Sequence, residues 1–124
     1  MSDMKERPQL IEVRISVPTK ESAKNISEEL VGRRLAGCVQ ILGPMTSVYS
    51  WRGRVHESQE WLLLAKTTEG NFDDLVGATK SLHGYEVPEV MAVPVTSALG
   101  EYVDWITDHL QGRDQAGWGL ESTG

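Results

Sequence analysis

From Leu10 to Val17 the chain alternates: Ile11, Val13, Ile15 and Val17 fall on one face, Glu12, Arg14 and Ser16 on the other. Period two of this kind predicts a strand with one buried side. Pro18 ends it, and Thr19 is placed to cap a helix by accepting a free backbone N–H of the first turn. Ala23, Ile26, Leu30, Val31 and Leu35 then recur at helical spacing, with Gly37 closing the helix and Glu29–Arg33 forming an i,i+4 ion pair. Cys38 to Leu42 predicts a short strand broken at Gly43-Pro44. Thr46 to Trp51 alternates again, with Ser47, Tyr49 and Trp51 on one side, before a turn at Arg52-Gly53.

Trp61 to Thr67 predicts a further strand, and its unbroken apolar run Trp61 to Ala65 suggests burial on both faces and a central place in the sheet. Thr68 is positioned to cap a second helix bearing Phe72, Leu75, Val76, Thr79 and Leu82 on one face. Val87 to Thr96 predicts the last strand. Pro88 and Pro94 remove N–H groups from one side of it, which assigns it to a sheet edge. Leu99, Tyr102, Val103, Ile106 and Leu110 form one face of a third helix. Two successive strand–helix–strand units followed by a helix predict an α+β, ferredoxin-like split βαβ sandwich with a C-terminal helix. We expect residues 1–9 to be flexible, 10–111 to form one domain, and the polar stretch 112–124 to be a disordered tail.

Composition narrows the function classes. A formal net charge of -6 with scattered Lys and Arg argues against nucleic-acid binding, which needs a basic face. The longest apolar run is far too short for a membrane span. One cysteine, Cys38, cannot form an intrachain disulfide, and with a polar N-terminus it suggests the cytoplasm. No phosphate-binding glycine loop, CxxC, HExxH or GxSxG occurs, and nothing supplies an activated nucleophile, so we expect no enzyme. Cys38 is expected to be structural. His56 and His109 are expected on the surface.

The segment His83-Gly84-Tyr85-Glu86 carries the candidate chemistry. His83 suits the last turn of the second helix, with Gly84 supplying a left-handed C-terminal position. That leaves Tyr85 and Glu86 as candidate ligand contacts. Tyr49, Trp51 and Trp61 are aromatics beyond what the aliphatic core requires, and we expect them in a subunit contact.

The stretches ESAKNISEELVGRRLAGCVQI, TSVYSWRGRVHESQEWLLLAKTT, LHGYEVPEVMAVPV and EYVDWI together resemble the CutA divalent-ion-tolerance family over roughly residues 11–110. The resemblance implies a ferredoxin-like protomer in a homotrimer shared in architecture with the PII signalling proteins, the hairpin around Trp51 pairing with neighbouring subunits. It implies tolerance of, or response to, divalent metal ions, with copper or zinc as a metal held by His83 and no cofactor required. The family's histidine pair is here Leu82-His83. A first-strand cysteine found in some members is absent around Ile15, and Gly84 stands where a proline is usual. The alternative is a PII-like module binding a small metabolite at inter-subunit clefts through Lys66, Tyr85 and Glu86.

Overall fold

The computed structural model describes residues 6–113. The expected tail falls almost wholly outside them, as do residues 1–5. Residues 6–9 are tied down: Arg7 pairs with Asp104 at 3.0 Å, and the Gln9 amide donates to the Val95 carbonyl.

The elements run β1 (Leu10–Val17), α1 (Lys20–Gly32), β2 (Cys38–Trp51), β3 (Arg54–Thr68), α2 (Phe72–Leu82), β4 (Val90–Pro94) and α3 (Gly100–Leu110). All strand pairs are antiparallel, in the order β2-β3-β1-β4. This is the ferredoxin-like arrangement expected. β3 is central beside β1, and β4 is an edge as the prolines require, although it covers five residues rather than the ten from Val87 to Thr96.

The odd-numbered side chains of β1 are buried beneath α1 and α2 with Leu63, Ala65, Ile26, Leu30 and Leu75. On the opposite face α3 covers one end of the sheet, packing Val103 and Ile106 on Leu10, Cys38 and Val95. The rest of that face is left open by the described residues: Leu42 and Met91 are half exposed, and Leu62 and Leu64 only partly covered. Burial of the Trp61–Ala65 run on both faces is thus incomplete in the single chain.

Helix termini follow local chemistry. Thr19 Oγ1 accepts from the Ser22 N–H at 3.0 Å, with Ser22 reciprocating, and Glu29 pairs with Arg33 at 2.7 Å. The helix ends at Gly32, before the expected Leu35, and Arg34 rather than a glycine takes the left-handed turn at φ 60°. Gly37 serves a different purpose. A Cβ there would lie 2.5 Å from Ile106 Cδ1, so the glycine admits α3 against the start of β2. Thr68 does not cap α2 directly. A 3₁₀ turn over Glu69–Asn71 intervenes, and the Thr68 hydroxyl accepts from the Asn71 amide at 2.7 Å. His109 is not a free surface residue either: its Nε2 donates to the Val31 carbonyl at 2.9 Å, clamping α3 to the end of α1.

β2 and β3 are one long hairpin of 14 and 15 residues, not three shorter strands. Gly43-Pro44 interrupts the register without ending the strand. Leu42 pairs with Leu62 and Met45 with Glu60, so β2 carries one extra residue. That residue reverses the odd–even alternation. Tyr49 and Trp51 therefore share the open face with Cys38, Gln40 and Leu42. A Cβ on Gly43 would lie 2.6 Å from the Trp61 ring, which packs there against the core on the other face.

Two core substitutions should shift stability in opposite directions. Gly37→Ala forces a shift at Ile106 and is expected to cost about 1–3 kcal/mol. Ser27, buried in α1, has a hydroxyl without a partner among the described residues. Ser27→Ala removes that orphaned group and improves helix propensity, so a gain of about 1 kcal/mol is expected. Urea unfolding midpoints at constant slope measure both.

Candidate functional site

The open sheet face carries polar side chains at two separate places. The first is a row across the sheet where Glu12, Lys66 and Cys38 are Cα partners. The Lys66 ammonium lies 2.8 Å from Gln40 Oε1, 3.5 Å from Glu12 Oε2 and 3.5 Å from the Leu64 carbonyl. Its three N–H donors each face an acceptor of its own protomer. Glu12 also receives Arg14 Nε at 3.0 Å. Tyr102 of α3 and Cys38 both pack against the cluster of Leu10, Val103 and Ile106. Burial, then the Cys38 thiol and Glu12, pushes the Tyr102 phenol from its ordinary 10.0 up to about 12.

The second place lies around the loop between α2 and β4. Helix α2 ends with His83 in an extended conformation (φ -83°, ψ 144°), and no left-handed φ occurs at Gly84, contrary to the expected glycine cap. The His83 ring is spent on holding the loop. Nε2 is 2.7 Å from the Ser16 carbonyl, and Nδ1 accepts the Tyr85 N–H at 3.1 Å. A carbonyl only accepts and an amide only donates, so these two bonds fix the Nε2–H tautomer. The Tyr85 ring tilts against His83 at 5.0 Å, and its hydroxyl donates to Glu60 Oε2 at 3.4 Å. Burial, with the Glu60 carboxylate and then Tyr49, raises the Tyr85 phenol above its ordinary value.

These positions sort the expected residues. His83 and Tyr85 are brought together, and Tyr49 approaches them from the hairpin, where it stacks on His56 and hydrogen-bonds Ser58. Glu86 is exposed and makes no side-chain hydrogen bond or ion pair among the described residues. Lys66 belongs elsewhere. Six residues separate it from Glu60 along β3, about 20 Å at strand rise, so one protomer does not join it to Tyr85. Trp51 is 57% exposed at the hairpin tip, with Arg52 over its ring at 5.5 Å, while Trp61 lies on the opposite face. Sequence reasoning missed Glu60. It lies just before the strand expected from Trp61, and its burial depends on a loop 25 residues away.

A copper or zinc ion needs three or four well-placed donors. Among the described residues no group of three or more His, Cys, Asp or Glu side chains is arranged to hold one. Both nitrogens of His83 already have protein partners, so one protomer does not offer a ready metal site.

Fold and surface together define a ferredoxin-like α+β chain with a partly apolar open sheet face and, among the described residues, no helix long and apolar enough to cross a membrane. The family model described as CutA1 divalent ion tolerance protein matches residues 11–109, and the chain belongs to that family. The chain is 46% identical over 97 residues to the divalent-cation tolerance protein CutA of Thermus thermophilus, covering 78% of this chain and 94% of that protein. A solved structure of the divalent cation tolerance protein from the same organism superimposes with a TM-score of 0.76 at 47% identity, over 77% of this chain and 93% of that one. CutA from Xylella fastidiosa gives a TM-score of 0.80 at 36% identity, over 82% and 97%.

The raised Tyr102 phenol has a measurable consequence. Its protonated form is favoured by folding, so its stabilising contribution is complete below pH 10 and is lost as pH rises towards about 12. Melting temperatures across this window should fall less steeply in Tyr102→Phe than in the wild type.

Proposed function

We propose that this chain acts in divalent-cation tolerance as a non-catalytic, cytoplasmic homotrimer whose binding chemistry sits at the seams between subunits. The observation that carries this reading is the open sheet face. Leu42, Leu62, Leu64 and Met91 form an apolar surface that the chain's own helices leave partly bare. The two free sheet edges, β2 and β4, run in opposite directions. Head-to-tail copies would therefore meet as antiparallel neighbours, and a heterologous contact of this sort forms a ring where a three-fold rotation relates the copies. Val48, Tyr49, Trp51 and Val55 on the projecting hairpin give it further apolar contact. Membership of a family described by divalent ion tolerance supplies the cellular role.

A divalent ion enters this reading through His83. To reach Nδ1, copper or zinc would displace the Tyr85 amide, and its remaining donors would come from Glu86, Glu89 or a second chain. Metal uptake and release of the Tyr85 loop would then be coupled.

Native mass spectrometry of the full chain, with and without stoichiometric copper(II), tests both parts. A trimer is expected, with copper uptake weakened at least tenfold in His83→Ala. A monomeric wild type would overturn the assembly. Equal uptake by wild type and His83→Ala would remove the metal from His83.

A further inference from the structure

Glu60 is only 8% exposed, yet no cation of the described protomer lies within ion-pairing distance of its carboxylate. Its one hydrogen bond is the 3.4 Å contact from Tyr85 to Oε2. Oε1 has no protein partner among the described residues. It is also not sealed off, because the one side-chain polar atom there that is both fully buried and unpartnered is Ser27 Oγ. A carboxylate withdrawn from water without a counter-charge is costly and creates a demand for a positive group.

The surroundings state what kind of group. Glu60 and Ser58 lie on one face of β3, and Tyr49 crosses from β2 to hydrogen-bond Ser58 at 2.8 Å. Tyr49 stacks on His56 at 5.8 Å, while Tyr85, which reaches Glu60, leans on His83 at 5.0 Å. Tyr85 thus touches the under-coordinated carboxylate directly, and Tyr49 reaches Ser58, the next residue on the same strand face. Aromatic faces attract organic cations, and a carboxylate fixes their N–H groups. A metal ion is the poorer fit, since this cluster supplies one carboxylate and a histidine already committed at both nitrogens.

We propose that Glu60, together with Tyr85 and Tyr49, binds a small organic cation of the primary ammonium or guanidinium class, its N–H groups directed at Glu60 Oε1. This names a ligand class for the seam and rests on the reading that the Tyr85 loop borders an accessible subunit cleft. An arginine carries the same chemistry, and Arg52 or Arg54 from the hairpin tip of a second copy is the competing occupant.

The test titrates the full chain with n-butylammonium chloride and with methylguanidinium chloride, against sodium chloride at equal ionic strength. Binding is followed by chemical-shift changes, and native mass spectrometry is run on each sample. Saturable binding at one site per chain is expected. Glu60→Gln, which keeps the side-chain shape, should weaken it at least roughly tenfold. Tyr85→Leu should weaken it several-fold, and Tyr85→Phe, which keeps the ring and frees Oε2, should not. A response matched by sodium chloride, or equal affinity in Glu60→Gln, overturns the inference. Binding that emerges only in Arg52→Ala or Arg54→Ala overturns the free ligand and gives the carboxylate to the second copy. A trimer that ignores both probes ends this inference alone, whereas a monomeric wild type ends the reading beneath it.

Discussion

A single extra residue in β2 decides which side chains the long hairpin offers to each face. Upstream of Gly43-Pro44, even-numbered residues point away from α1 and α2. Downstream, odd-numbered ones do. Without that step Tyr49 and Trp51 would lie on the other side of the ribbon, away from Glu60. Glycine permits it, because the Trp61 ring occupies the space a Cβ would need. Trp61 in turn closes the core at the level where β1 ends, at the Val17–Trp61 pair. The same few atoms therefore finish the hydrophobic core and set the orientation of everything beyond it.

Beyond that pair the sheet is only two strands wide. Residues Arg54 to Glu60 of β3 have β2 on one side and no β1 on the other. The Tyr85 loop folds back over this exposed edge at Glu60, held by the two bonds of the His83 ring. The candidate site is thus where a loop from the helical layer meets the root of the ribbon. The Lys66 row lies at the opposite end of the same face, under α3, and its ion pairs are internally matched. The two clusters play different parts: one closes the protomer, the other remains incomplete in it.

Much of the fold was legible because burial leaves a periodic trace. β1, α1 and α3 alternate or repeat cleanly since each has one buried side, and the Thr19 cap needs only neighbours three residues apart. The hairpin was harder to read. His56-Glu57-Ser58-Gln59-Glu60 lies away from the core and carries no apolar alternation, so its strand character comes from pairing alone. The helix ends misled for a related reason. Arg34 adopts the turn that a glycine was expected to make because its guanidinium reaches the His109 carbonyl at 2.8 Å, a contact 75 residues away. At the site, His83 and Tyr85 were visible as neighbours, but Glu60 joins them only through the folded loop. Lys66 and Tyr85 were grouped as contacts across an inter-subunit cleft, and within one chain the distance along β3 keeps them apart.

The overhanging ribbon also bears on the order in which the molecule forms. Isolated two-stranded hairpins are marginal in water, and among the described residues the outer half of this one has no layer beneath it. The core around β1 and β3 can close first as a monomer. In the proposed trimer another chain would supply that support, which would tie the ribbon's ordering to protein concentration. Dilution and heating would act on different parts of the same molecule, loosening the ribbon before the sandwich that carries it.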